Sequence, residues 1–206
     1  MRIALVISSL STGGAERVLS ILASFWAERG ESVAVITLSG NEEDFYLLPS
    51  KVVRIGLGLN QDSLFIWDAI LNNYKRLCSL KKVIRQFKPN VVISFMDKMN
   101  ILTILACIGL DVPVIISERT DPRMHQIGTV WALLRKIVYP RASALVVQNQ
   151  EVLSWALQNF RHLESVIIPN PVNGSSHTQT KKVQNYRCKK VVAMGRLGYE
   201  KGFDLL

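Results

Sequence analysis

Two adjacent glycines offer the first chemistry in this sequence. They lie in Ser8-Ser9-Leu10-Ser11-Thr12-Gly13-Gly14-Ala15-Glu16-Arg17, between an apolar run and an amphipathic one. With no Cβ at Gly13 and Gly14, the backbone can approach a ligand directly. A helix starting near Ala15 adds unpaired N–H groups and the positive end of its dipole, which suits a phosphate. The spacing matches neither the dinucleotide-binding fingerprint nor the P-loop, and a tight strand-to-helix turn without a ligand would use the same residues. A second constellation is Met194-Gly195-Arg196-Leu197 with Glu200-Lys201-Gly202 close behind. Gly195 frees the end of a strand, Arg196 offers a two-pronged donor array, and Lys201 adds a mobile charge; together they suit a diphosphate. A solvated basic loop is the plainer alternative.

Other groups are sparser. Asp97 directly follows an apolar run, where open α/β sheets place ligand groups; capping the next helix would place an Asp there too. His125, His162 and His177 are too few and scattered for a metal site, and Cys78, Cys107 and Cys188 are odd in number, far apart and without paired spacing. No metal site is therefore expected. The cysteine usage fits a reduced, cytoplasmic protein.

The elements that must position these groups follow from periodicity. Short Val- and Ile-rich runs read as strands at Arg2–Ser8, Ser32–Leu38, Lys51–Ile55, Asn90–Phe95, Val112–Ser117, Ala144–Val147 and Ser165–Ile168. Helical patterns fall between them at Ala15–Arg29, Ile66–Phe87, Asn100–Gly109, Thr129–Tyr139 and Glu151–Phe160. Strands apolar on both faces and separated by helices build a parallel sheet. The fold expected over residues 1–172 is a doubly wound α/β, Rossmann-like domain. Pro169-Asn170-Pro171 breaks the pattern, and residues 173–189 read as a polar linker. Lys190–Met194 opens a fresh strand, so residues 190–206 read as the start of a second domain, truncated after about one turn of helix.

Composition narrows the class further. The 206 residues are 49% hydrophobic and 20% charged, with mean hydropathy +0.20, an ordinary globular mix. The longest apolar stretch, Ile101–Leu110, is too short for the roughly 20 residues of a membrane span. A signal peptide is not expected, because the N-terminal apolar run gives way to Ser8-Ser9 with no cleavage pattern. The net charge of +9 favours anionic partners. It concentrates between Lys51 and Lys88, where eight basic residues face two acidic ones. The helix at Ile66–Phe87 and the segment Val130–Arg141 each mix basic, aromatic and aliphatic residues. Either could lie on an anionic membrane surface, or simply pack with a solvated charged face.

Three blocks resemble family 4 glycosyltransferases of the GT-B architecture: Gly13-Gly14-Ala15-Glu16-Arg17, Ile168-Pro169-Asn170-Pro171-Val172, and Gly195-Arg196-Leu197 with Glu200-Lys201-Gly202-Phe203. Ser94–Asn100 and Ser117–Arg123 further resemble members that build lipid-linked oligosaccharides or surface polysaccharides. The resemblance implies two Rossmann-like domains across a cleft, the N-terminal one holding the acceptor and the C-terminal one a nucleotide-sugar donor. It implies transfer with retention of anomeric configuration, without a metal and with no cofactor called for beyond the donor substrate. Gly13 and Gly14 would approach the donor diphosphate, and Arg196 and Lys201 would neutralise it as it leaves. Glu16, Arg17 and Asp97 would meet the acceptor. Many relatives carry a His after the strand that here ends at Ser117. This chain has Glu118 and Arg119, which would orient an acceptor hydroxyl and meet an acceptor phosphate, or else form a loop ion pair. A lipid-linked acceptor would place the protein on the inner face of the cell membrane, attached peripherally. The resemblance further implies that a chain ending at Leu206 lacks half its cleft and is inactive alone.

Rival readings remain. A dinucleotide-dependent oxidoreductase would share the fold, but the first turn lacks the pyrophosphate fingerprint. A nucleic-acid module would explain the charge, but no zinc spacing or nucleic-acid-reading motif is present, so no nucleic-acid partner is expected. A sugar-nucleotide epimerase of the same architecture is the nearest enzymatic rival. A non-catalytic interaction module is the non-enzymatic one.

Overall fold

Side-chain alternation along the first strand shows how the molecule is layered. In β1 (Arg2–Ile7), Ala4 and Val6 face one layer of helices while Ile3, Leu5 and Ile7 face the other, and all five are buried. The computed structural model describes residues 1–61 and 66–171. The linker at 173–189 and the segment 190–206, with Arg196 and Lys201, lie outside the described residues.

From β1 the chain runs through α1 (Gly14–Glu28), β2 (Ser32–Thr37), β3 (Val53–Gly56), α2 (Ile66–Phe87), β4 (Val91–Phe95) and α3 (Asp97–Cys107). It continues through β5 (Val114–Ser117), α4 (Thr129–Val138), β6 (Ala144–Val147), α5 (Gln150–Asn159) and β7 (Ser165–Ile167). Single 3-10 turns occupy Asn41–Glu43 and Tyr139–Arg141. The seven strands form one sheet in the order β3-β2-β1-β4-β5-β6-β7, and every neighbouring pair is parallel. This is the doubly wound, Rossmann-like α/β arrangement that the strand–helix alternation predicts. Residues Met1–Pro171 make one compact unit.

Two apolar layers hold the sheet. On one face, Val18, Leu19, Ala23 and Ala27 of α1 pack on Leu5, Val33, Val35 and Phe95. On the other, α2, α3, α4 and α5 contribute Leu80, Ile84, Ile101, Ile104, Val138 and Val152 against Val6, Ile36, Val92 and Ile116. Helix α3 lies at the centre of that layer, with nine of its eleven residues buried. A helix buried on nearly every side has no amphipathic stripe, so its ends are hard to read from periodicity. It starts at Asp97, one turn earlier than the pattern predicts. Met96 adopts a positive φ of 76° and donates its N–H to the carbonyl of Ser117 (3.1 Å), which turns the chain straight from strand into helix.

Helix α2 turns its apolar residues in two directions. Its apolar residues do not all face inward: Leu80, Ile84 and Phe87 are buried, whereas Trp67, Ile70, Leu71 and Tyr74 in the first turns are exposed.

Candidate functional site

The sheet register brings the candidate loops together. Val6 pairs with Ser94 and Phe95 with Ser117, so the segments after β1, β4 and β5 leave the same edge side by side. Strand order reverses between β1 and β4, and open sheets hold ligands in the crevice at such a point.

At the β1 turn, Gly13 is extended (φ −123°, ψ 162°) and immediately precedes α1. Its N–H donates to the Ser11 carbonyl (2.8 Å), and its own carbonyl accepts from the Arg17 N–H (3.0 Å) and the Tyr46 hydroxyl (3.1 Å). The two glycines serve different ends. A Cβ at Gly13 would run into the carboxylate of Glu16, which folds back over it from the third helical position and complements the positive helix end. A Cβ at Gly14 would meet nothing within 4 Å, so the helix start itself is open. Arg17 is exposed beside it.

The second part of the edge is a buried polar cluster. Asp97 opens α3 and Glu118 directly follows β5; they are 5% and 1% exposed. Both converge on Arg135 of α4, itself 6% exposed. Its Nε lies 3.6 Å from Glu118 Oε1 and its Nη2 3.7 Å from Asp97 Oδ2. The Tyr139 hydroxyl donates to Glu118 Oε1 (2.6 Å), and Asn100 Nδ2 donates to the Tyr139 oxygen (3.2 Å) and the Ser117 carbonyl (3.1 Å). Burial raises the Glu118 carboxyl from its ordinary 4.5 to about 7; Arg135 and the Tyr139 hydrogen bond work against that rise, and Asp97 adds to it. Burial also pushes the Tyr139 phenol well above its usual value.

Asp97 is not the residue that caps α3. Met96 holds the cap position, and Asp97 Oδ1 accepts the N–H of Lys98 (2.6 Å) from inside the first turn. Its Oδ2 has no hydrogen-bond partner among the described residues. The same holds for Asn100 Oδ1, Ser117 Oγ, Glu118 Oε2 and Arg135 Nε. Buried polar atoms are nearly always bonded, so this concentration of unsatisfied atoms at a sheet edge marks a functional-site candidate.

Glu118 and Arg119 do not pair with each other. Arg119 instead stacks 4.6 Å over the Phe95 ring, and its Nη1 donates to Asn170 Oδ1 (2.7 Å), an oxygen that Gln148 Nε2 also reaches (3.3 Å). Burial lowers its guanidinium to about 10, so it stays charged at neutral pH. Arg119 thereby ties the edge of the sheet to the Ile168-Pro169-Asn170-Pro171 segment.

Sequence reasoning missed Arg135, Tyr139 and Asn100. Arg135 and Tyr139 were expected on the basic, aromatic surface of Val130–Arg141. Both are turned inward, with Tyr139 fully buried. One signal was available: Arg135 and Tyr139 are four apart, on one face of a helix. Among the described residues no three His, Cys, Asp or Glu side chains gather as a metal site would require.

Residues 12–175 match the sequence profile of Glycosyltransferase Family 4, and the chain belongs to that family. Over 148 residues it is 36% identical to the GalNAc-alpha-(1->4)-GalNAc-alpha-(1->3)-diNAcBac-PP-undecaprenol alpha-1,4-N-acetyl-D-galactosaminyltransferase of Campylobacter jejuni. That match covers 71% of this chain and 40% of the relative, so the chain spans well under half of the relative's length. Among solved structures, a sucrose-phosphate synthase from Thermosynechococcus elongatus superposes with a TM-score of 0.64 at 12% identity, over 82% of this chain and 48% of that one. A lipopolysaccharide outer core galactosyltransferase superposes with a TM-score of 0.65 at 11% identity, over 85% and 47%. At such identities the likeness is one of fold, the GT-B glycosyltransferase half.

Proposed function

We propose that this chain forms the acceptor-side half of a glycosyltransferase that moves a sugar, with retention, from a nucleotide-sugar donor to a lipid-linked saccharide. The observation that carries the reading is the cluster of Asp97, Glu118 and Arg135 beside the open Gly14 helix start, in a member of this family. Sugar hydroxyls are donors and acceptors at once, so unsatisfied carboxylate and guanidinium atoms at a cleft edge suit them. The open end of α1 suits the departing diphosphate, whose charge grows as the glycosidic bond to it breaks. Arg196 and Lys201 are assigned to the same diphosphate from the other side, on the strength of the sequence resemblance alone. The name of the Campylobacter relative supports a polyprenyl-diphosphate-linked acceptor.

Such an acceptor is embedded in a bilayer, and the exposed surface fits that setting. Trp67, Leu71 and Tyr74 of α2 and Val130, Leu133 and Ile137 of α4 are all more than half exposed, and Lys75, Lys82 and Lys136 are exposed among them. An apolar groove of about 660 Å³ runs between α2, α3 and α4, lined by Ile70, Tyr74, Leu77, Leu105, Trp131 and Leu134. No helix among the described residues is long and apolar enough to cross a membrane. The reading is therefore peripheral attachment by an apolar and cationic face.

The test is transfer itself. The protein carrying this chain is supplied with nucleotide sugars and a polyprenyl-diphosphate oligosaccharide, and the product is followed by mass spectrometry and by NMR of the new anomeric centre. One added sugar whose anomeric configuration matches the donor is expected. Release of a free epimerised sugar nucleotide, with no acceptor product, would overturn the reading.

A further inference from the structure

The buried charges described above do not end inside the protein. From Tyr139 and Glu118 the polar chain passes through Arg135 to Asp97, and Asp97 Oδ2 then faces His125 Nε2 at 3.5 Å. The Asp97 side chain is 7% exposed and the His125 side chain 52%. A carboxylate oxygen without a hydrogen bond is thus aimed at a ring that stands at the surface.

The loop between β5 and α4 is built to hold that ring in place. The Asp121 carbonyl accepts the N–H groups of Met124 (3.1 Å) and His125 (2.9 Å), while its carboxylate clasps Arg123 through Nε and Nη2 and accepts the Arg123 backbone N–H (2.9 Å). Ile127 is buried just beyond, and Gly128 takes a positive φ of 84° to enter α4. His125 is therefore carried on a closed turn with an anchored exit, beside the edge of the sheet where β4 and β5 end.

We propose that His125 is a substrate-binding residue of this site, with Asp97 as its positioning residue. Asp97 steers the ring through Nε2, and Nδ1 is presented to a hydroxyl of the acceptor saccharide. The chemistry follows from the imidazole itself: its two nitrogens do different work, and a carboxylate held at one fixes the tautomer and orientation of the other. With Nε2 facing Asp97, Nδ1 is the ring nitrogen left for a sugar hydroxyl. Arg135 stands behind Asp97, its Nη2 3.7 Å from Asp97 Oδ2, with Glu118 on its far side. This inference rests on the acceptor-side reading above, and it names the contact that reading lacks.

The test uses NMR of the 206-residue chain, where His125, His162 and His177 give three ring signals. The probe is a soluble, lipid-free saccharide diphosphate, titrated at constant pH. The expected result is a shift of the His125 ring signal with His162 unmoved, and binding weakened about tenfold or more by His125→Ala. Asparagine places its amide oxygen near the position of Nδ1 and glutamine near that of Nε2, so His125→Asn should recover part of the affinity and His125→Gln should not. Asp97→Asn should weaken binding in the same direction while leaving the far-UV spectrum and the remaining amide signals in place. If the saccharide binds wild type and His125→Ala alike, the role of His125 is refuted and the acceptor-side reading survives. If the saccharide fails to bind wild type at all, both fall together.

Discussion

Glu118 carries a consequence that titration can reveal. Its carboxyl is raised from 4.5 to about 7, first of all by burial. The folded state therefore binds a proton more tightly than the unfolded state does. The stability it contributes is fully present below pH 4.5 and is lost as the pH rises through 7. At roughly 1.4 kcal/mol per pH unit, the difference across that window is about 3 kcal/mol. Glu118→Gln, neutral at every pH, should match the wild type in urea unfolding at about pH 4 and exceed it at about pH 8. Parallel losses in both proteins between those pH values would show that another group is responsible. Asp97 Oδ1 is bonded within its own helix, while its Oδ2 has no hydrogen bond among the described residues and lies beside Arg135 and His125.

At the scale of elements, α2 divides its work along its length and across its faces. Toward its C-terminal end, Ile84 is 1% exposed and packs on the sheet, while Arg85 next to it points to solvent. Ile84→Ala should cost about 2–5 kcal/mol through lost burial and the cavity left behind. Arg85→Ala should change stability by less than about 0.5 kcal/mol. Both are read from the midpoint of urea unfolding, and equal effects would place the helix on the wrong face. The first turns of α2 pack less closely than this. Trp67 and Tyr74 stand out of the protein, a cost in water that a membrane interface would remove, since amphipathic rings settle at headgroup level.

The whole molecule predicts two behaviours. Its described fold is one parallel sheet closed on both faces by helices, within a compact unit that ends at Pro171. A polypeptide stopped at Pro171 should unfold in a single urea transition; a broadened or missing transition would mean that later residues complete the core. The cationic and apolar faces of α2 and α4 should carry the chain to vesicles rich in anionic lipid during flotation. Raising salt from 50 to about 500 mM should release much of it, because the screening length shrinks to a few ångströms. Recovery in the bottom fraction at both salt concentrations would argue that the exposed aromatic residues serve another surface.

Local sequence was enough to determine the seven strands, their parallel pairing and the helices between them. Period-two and period-3.6 patterns depend only on neighbours along the chain, and strands apolar on both faces have few other ways to pack. The Gly13–Gly14 turn was legible for the same reason. The start of α3 was not, because a helix buried all round carries no stripe to mark its first turn. Nor was the meeting of Asp97, Glu118, His125, Arg135 and Tyr139, residues that come from α3, the end of β5, the following loop, α4 and the 3-10 turn after it. Only the register of β4 against β5, and the seating of α4 on α3, decided that an arginine from an apparently basic surface would turn inward between two carboxylates. That choice balances desolvation against pairing over tens of residues of intervening chain, a balance that no local pattern records.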